Sequence, residues 1–300
     1  MAINRAQLAK ELEPGLNALF GLEYARYENE AAQIFEQESS DRAFEEEVML
    51  VGFGQANVKA EGSAVGFDTA SESFTARYVH DTIALAFALT EEAVEDNLYD
   101  SLSARYTKAL ARSMAYTKQV RGANVLNDAF TVAGGDGVSL INTAHPTALG
   151  GNFSNRSATD ADLNETSLEQ AMIDIAGFID ERGLKIAMKG QKLILPVNLQ
   201  FVADRILEST LRVGTADNDI NAMKNMGMLP GGYTVNHYLT DTDAWFVKTD
   251  CPNGLKHFVR AALATGMEGD FDTGNMRYKA RERYSFGYSD PRAAYGSRGS

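Results

Sequence analysis

The chain has 300 residues, 44% of them hydrophobic, and a formal net charge of −13 from 28 Lys and Arg against 41 Asp and Glu. That much apolar material excludes a disordered chain, and the length fits two structural domains or one with large insertions. The acid excess argues against sequence-specific binding of duplex DNA, and a lone cysteine, Cys251, excludes an intrachain disulfide and any CxxC metal or redox motif.

The opening MAINRAQLAKELEPG has no apolar h-region, so no signal peptide is expected. Leu8, Leu12, Leu16 and Leu19 form a short helical stripe that Pro14 and Gly15 should interrupt. From Gly21 to Glu47 charges outnumber large apolar groups, and the segment reads as an extended arm that needs another surface to lie on. Charge is uneven along the chain. Residues 1–60 carry eleven acids and five bases, whereas residues 276–300 carry six bases and two acids. Such a chain can pair head to tail with copies of itself, or can carry two solvated surfaces.

Residues 48–70 are rich in Gly and Ala and have no helical period. Residues 71–89 alternate. Phe74, Ala76 and Tyr78 share one face, and Ile83, Leu85, Phe87 and Leu89 share another, opposite Ala84, Ala86 and Ala88. Strand-like runs on either side of a Gly-rich stretch predict a long β-hairpin with a mobile tip and too little core to stand alone.

The clearest element is a helix over 90–121. Thr90 is its N-cap, Glu91, Glu92, Glu95, Asp96 and Asp100 open it, and Arg105, Lys108, Arg112, Lys118 and Arg121 follow, in the order that suits the helix dipole. Gly122 is expected to stop it. Val94, Leu98, Leu102, Tyr106, Leu110 and Met114 recur every four residues. Each such step overshoots a turn by about 40°, so the stripe winds around the helix and meets more than one neighbour. This helix is a spine.

Residues 131–165 are loop-rich. Thr166 and Glu169 form a capping box for a second helix, with Leu168, Met172, Ile175 and Ile179 inward and Gly183 closing it. QKLILPV is a buried strand, NLQFVADRILES a helix with Phe201, Ile206 and Leu207 apolar, and TADNDINAMKNMG a polar loop. YTVNHYL and AWFVKT are strands, and RYKARERYSFGYSDPRAAYG is a long strand with a turn at Asp290–Pro291. This alternation predicts a mixed sheet with helices on its faces.

Chemistry is sparse. DGVSLINTAHP, behind Gly134 and Gly135, gathers Asp136, Ser139 and His145, the residue types of a nucleophilic triad. Ser139 lies in GVSLI without the second glycine of a nucleophile elbow, and a histidine before proline in a loop is more often a structural hydrogen-bonding residue. His80, His145, His237 and His257 have no metal-ligand spacing, and Asp241 and Asp243 lack the EF-hand pattern. No Gly-rich stretch matches a nucleotide-binding loop. Cys251, before Pro252 in a polar loop, is incidental. No catalytic, cofactor-binding or metal residue is expected. An acidic arm, a projecting hairpin and a spine helix are features of an assembly subunit.

Several stretches, in chain order, resemble the major capsid proteins of tailed bacteriophages of the Hong Kong 97 (HK97) type. They are EPGLNALFGLEY, YVHDTIALAFALTEEAVEDNLYD, GVSLINTAHP, LILPVNLQFVADRILES with NDIN, YLTDTDAWFV and RERYSFGYSDPRAAYG. The resemblance implies an α+β fold with an N-terminal arm at 1–46 and an extended β-hairpin loop at 47–82. It implies a peripheral domain at 83–130 and 240–285 built on the spine helix, and an axial domain at 131–239 and 286–300 with a central mixed sheet. It implies a structural subunit, not an enzyme, with no cofactor and no membrane contact. Its hexamers and pentamers would close an icosahedral shell around double-stranded DNA, without sequence-specific binding, after assembly in the host cytoplasm.

No long charged helical region precedes the arm, which implies a separate scaffolding protein alongside a portal; a decoration protein is compatible. Phe53, Val58 and Phe67 of the hairpin and Tyr24 and Tyr27 of the arm are the expected inter-subunit contacts. Lys59 and Asn275 have the residue types and places of the inter-subunit isopeptide cross-link found in some relatives. His145 then belongs to a structural loop near the capsomer interior. Two other readings stay open: an encapsulin-like protein compartment of the same fold, and a soluble hydrolase using Ser139 and His145.

Overall fold

Two sheets organise the chain, each built on strands whose side chains alternate between faces. The computed structural model describes residues 5–90, 99–212, 219–270 and 274–300. The first sheet contains β1 (Glu36–Ser39), β4 (Asp81–Leu89), β10 (Leu255–Gly269) and β11 (Met276–Tyr288), in the order β1-β10-β11-β4. Strand β1 runs parallel to β10, and the other pairs are antiparallel. On β11 the even residues Tyr278, Ala280, Glu282 and Tyr284 are buried, and the odd ones turn the other way.

Helices α1 (Arg5–Arg26) and α3 (Tyr99–Asn127) cover the even face. Leu16 and Phe20 from α1 meet Leu110, Ala111 and Met114 from α3 and Tyr278 and Ala280 from β11 in one core cluster. Each such large side chain contributes about 1.5–3 kcal/mol by leaving water.

This packing overrides two local signals. Helix α1 runs through Pro14, because Leu16 and Phe20 beyond it are held in the core. The first half of the expected arm is therefore a helix lying on its own chain. The spine passes Gly122 and ends at Asn127. A Cβ at 122 would stand 3.0 Å from the Ala31 Cβ, so the glycine lets α2 (Glu30–Ile34) approach, while Ala123 and Leu126 bury the last turns. The expected start of the spine, with Val94 and Leu98, lies outside the described residues, as do the side chains of Leu8 and Leu12.

The second sheet contains β7 (Gly190–Leu195), β8 (Tyr233–Val235), β9 (Trp245–Thr249) and β12 (Ala294–Ser297), in the order β12-β9-β7-β8. Leu193 and Leu195 face Leu168 and Ile175 of α4 (Glu165–Ala176) and Ala203 of α5 (Gln200–Glu208). Ile194 faces Leu140, Ile141 and Phe246 on the other side. A strand buried on both faces reads as an unbroken apolar run, which is why LIL carries no alternation.

Helix α4 opens two residues earlier than expected. Asn164 is the N-cap, in a reciprocal box with Ser167, and Gly177 ends the helix. Asparagine outranks threonine at an N-cap, so the Thr166–Glu169 box does not form. Ile179 instead bridges to Lys185 across a turn at Gly183, whose φ is +81°. A short helix α6 (Ala222–Met226), capped by Asn221, stands within the expected polar loop. Phe201 is 73% exposed rather than in the core. Trp245–Thr249 pairs with β7, so this strand sits in the second sheet and not beside the spine helix. The turn expected at Asp290–Pro291 is present, capped by Asp290.

The hairpin is made of β2 (Phe44–Val51) and β3 (Ser71–Val79), joined by residues 52–70. Strand β4 does not belong to it, for after His80 the chain turns into the first sheet. His80 fixes that corner through Ser40 Oγ (2.9 Å) and Ser285 Oγ (3.0 Å). The Gly134–Gly135 pair explains itself here. A Cβ on Gly135 would lie 2.5 Å from the Thr75 carbonyl of β3, and one on Gly134 would strike the Tyr288 ring. Gly135→Ala should therefore lower stability by about 1–3 kcal/mol, read as a lower urea midpoint at unchanged m-value; an unaltered midpoint would show that the hairpin does not rest there.

Candidate assembly surfaces

The loop that gathers Asp136, Ser139 and His145 ends in a two-residue ladder, β5 (His145–Pro146) with β6 (Asn152–Phe153). Phe153 stacks on the His145 ring at 4.8 Å. His145 is wholly buried. Its Nδ1 faces Asp136 Oδ2 at 2.6 Å and its Nε2 faces Asn155 Oδ1 at 3.1 Å. Ser139 Oγ donates to the Ile141 carbonyl and accepts from Asn142 Nδ2, both at 3.2 Å. Neither imidazole nitrogen is free to take a proton from Ser139, and no hydrogen bond joins the two residues. A nucleophile and its base must be in hydrogen-bond reach. The three residues come together as packing.

The hub of that packing is Asn155. Its amide NH2 donates to the carbonyls of Leu140 (2.6 Å), Pro291 (2.9 Å) and Ala294 (3.0 Å), and its Oδ1 accepts from Asn142 N (2.9 Å). Beside it Arg292 is buried over the Phe153 ring, pairs with Glu181 at 2.9 Å and donates to the Ile179 carbonyl. Neither residue carries a sequence signal, because the partners that join them to other elements, Pro291 and Ala294 for Asn155 and Glu181 and Ile179 for Arg292, lie more than a hundred positions away. Cys251 is buried, and burial pushes its thiol pKa up, so it is no nucleophile. Asp241 accepts from the backbone of Asp243 and Ala244 and shapes a turn. Among the described residues no cluster of His, Cys, Asp and Glu could hold a metal.

The hairpin looks different. Val58 and Phe67 are fully exposed, Phe53 is 64% exposed, and Leu50 and Val65 are also open. Lys59 stands exposed at the tip, while Asn275 is half-buried at the β10–β11 turn, its carbonyl accepting from Asp270 N. Tyr24 packs within its own chain, stacked on Phe20 at 6.0 Å, and burial followed by the nearby Glu282 carboxylate raises its pKa. Tyr27 donates to Glu23 at 3.3 Å.

Two polar fastenings hold the hairpin. At the base, buried Lys256 pairs with Glu38 (2.9 Å) and with Glu47 of β2. Ser289 bonds both Glu47 and Tyr78. Farther out, Arg182 pairs with Asp68 at 3.3 Å and donates to the Thr69 carbonyl. Asp68 also accepts from Gly54 N at 2.8 Å, and that bond heads the causes that hold its pKa down.

A family model described as "Phage capsid protein" matches residues 73–297. The chain belongs to the phage capsid protein family. No curated protein matches it. Among solved structures it is similar to the virus-like particle from Pyrococcus furiosus, with TM-score 0.56, 10% identity, and 95% of this chain and 98% of that one covered. It is also similar to the Mycobacterium phage Che8 structure, with TM-score 0.55, 16% identity and 89% of each chain covered. The capsid of cyanophage P-SCSP1u gives TM-score 0.56 at 11% identity over 88% of this chain and 85% of that one. The fold is HK97-like. Family and fold together make this a major capsid protein of a tailed phage, a structural subunit that associates with itself in the virion shell. An encapsulin-like compartment is not favoured over it, since the matching family is that of phage capsids.

Two measurements check the buried polar groups. Asn155→Ala strands up to three carbonyls at once and should cost about 3 kcal/mol or more, read by denaturant unfolding; a loss below about 1 kcal/mol would remove its role as hub. His257 stacks on Phe286 at 4.2 Å with Nε2 unpartnered, and burial, then the charge of Lys118, pushes its pKa down to about 4. An unfolded histidine takes up its proton near pH 6.5, which the folded one refuses, so its contribution to stability falls as pH drops from about 6.5 to 4. Glu282, which pairs with Lys118 at 3.2 Å and whose pKa burial raises, acts in the opposite sense above the usual carboxylate range. His257→Phe isolates the first effect. The loss of urea midpoint between pH 7 and 4.5 should be smaller in the variant, and equal losses would reject the assignment.

Proposed function

We propose that the chain assembles into hexamers and pentamers that close an icosahedral shell around double-stranded DNA, in the host cytoplasm, with a separate scaffolding protein and a portal. The observation that carries this is the hairpin. Its tip places Val58 and Phe67 wholly in water and Phe53 and Val65 mostly so. Apolar groups gathered on a projecting element mark an interaction site. The first sheet with α1 and α3 is the peripheral domain in this reading, and the second sheet with α4 and α5 is the axial domain. The net charge of −13 suits a wall that must not hold packaged DNA. No described helix is long and apolar enough to cross a membrane.

The protein has no catalytic role in this reading, since Ser139 and His145 are spent on packing. Lys59, exposed on the hairpin of one subunit, and Asn275, at the β10–β11 turn of another, are the pair that would form an isopeptide bond, the lysine Nζ–Cγ bond replacing the asparagine Cγ–Nδ2 bond with release of ammonia. The test replaces residues 52–70 with a short turn and images both proteins by negative stain after size exclusion. The full chain should give closed shells or rings of five and six. The shortened one should melt within about 3 °C of it yet stay unassembled, since its lost residues carry little core. A full chain that remains monomeric in every salt and scaffold condition would sink the reading. Boiled, reduced gels of the shells should show a covalent ladder that Lys59→Arg abolishes; monomer alone would remove the cross-link while leaving the shell.

A further inference from the structure

The odd residues of β11 point away from the two helices. Near the end of the strand the hairpin base covers them: the Tyr78 ring lies over Gly287, and His80 bonds Ser285. Beyond that cover stand Arg283, Arg281, Lys279 and Arg277 in succession. Alternate strand residues are about 6.8 Å apart, so the four cations form a straight stripe about 20 Å long. Their neighbours are low. On β4 they face Thr82, Ala84, Ala86 and Ala88, and on β10 they face Ala261, Ala264, Gly266 and Glu268. Ala84, Ala86 and Ala88 are exposed, as are Arg277, Lys279 and Arg281.

In a chain of net charge −13, a cation should find an acid easily. Arg277 does, in Asp270, and Glu268 lies opposite it. Among the described residues no carboxylate pairs with Lys279, Arg281 or Arg283, and the Nε of Arg283 reaches only the His80 carbonyl, at 3.4 Å. The complementary surface lies at the other edge of the same sheet. Strand β1 is exposed along all four residues, Glu36 and Glu38 alternate on it, and Asp41 follows. Lys256 holds Glu38; Glu36 feels the charge of Lys248 but forms no salt bridge, and Asp41 forms none among the described residues.

One sheet thus has an acidic border and, beside its opposite border, a cationic face over an alanine floor. We propose that the stripe Arg277–Lys279–Arg281–Arg283 receives the acidic edge segment Glu36–Asp41 of a second copy of this chain, head to tail. Such a contact is heterologous, and repeated in one direction it closes a ring when the rotation fits. Nucleic acid fits the stripe less well. The described residues of this face offer no aromatic ring on which a base could stack, and the chain as a whole repels a polyanion. The proposal rests on the shell reading and adds to it which charged borders meet.

The test assembles a mixture of 15N-labelled and unlabelled full-length chain, treats the shells with a zero-length carbodiimide, and maps the joined peptides. Mixed-isotope peptides should join Lys279 to Glu36 or Asp41. Shells in which Lys279 stays uncoupled, or couples to Glu61 or Glu72 of a hairpin, would overturn the proposal and leave the shell reading intact. Absence of any shell would remove both. Charge reversal gives a second check at exposed positions that should not disturb folding. K279E/R281E and E36K/D41K should each lower shell yield about tenfold at unchanged melting temperature, and the two together in one chain should restore most of it. Failure of the combined variant to recover, or protection of Lys279 from acetylation by added duplex DNA, counts against the acidic partner.

Discussion

Lys256 is a cation almost shut off from water, and three strands meet on it. It is part of β10, it takes Glu38 from β1 and Glu47 from β2, and Ser289 and Tyr78 extend the same network to the end of β11 and to β3. Burial alone would pull its pKa down, but the hydrogen bonds to Glu47 and Glu38 more than reverse that. A charge held this way is not a large net source of stability, because taking it out of water costs much of what the pairing returns. Its effect is positional. Removing either carboxylate leaves the buried charge with one partner where it had two, so the arrangement that engages both is preferred over its alternatives. The first strand of the hairpin is tied to the body at this ammonium group.

Beyond it, loops around the second sheet are stitched by residues far apart in sequence. Asn155 joins the loop behind the spine helix to the last strand, and Arg292, in the turn that leads into that strand, reaches the turn around Glu181. The chain end therefore closes the second sheet and anchors the loop that sequence inspection marks as chemical. Asp136, Ser139 and His145 do converge in space. What they build is a buried hydrogen-bonded knot, with Phe153 stacked on the ring.

Legibility in the sequence followed the range of the interactions. The spine was visible because Leu110 and Met114 repeat at helical spacing and basic residues gather toward its end. The β11 strand was visible because tyrosine and arginine alternate on it. Failures came where a distant partner decides. Pro14 does not break α1, since Leu16 and Phe20 are held by α3 and β11. Strand β4 looks like a continuation of the hairpin, yet its ladder partner is β11, about two hundred residues on. Gly122 looks like a stop but is a point of close approach to Ala31. The polar fastenings were invisible for the same reason, as nothing near Lys256 or Arg182 announces an acid two hundred or one hundred positions earlier. The family resemblance supplied the order of parts that such non-local pairing hides.

The two fastenings of the hairpin are unequal, and this gives the subunit a mechanical character. The inner one is buried, while the outer one, Arg182 with Asp68, has its carboxylate in water, where such a pair contributes only about 0–1 kcal/mol. A beam with a stiff pivot and a weak catch has one soft direction. It swings about the pivot and resists bending elsewhere. A surface tiled from such parts can change its local curvature by turning each beam a little, without unfolding any of them. Identical chains can then take differing local settings in a shell, because a turn about the pivot changes the catch before it changes the core.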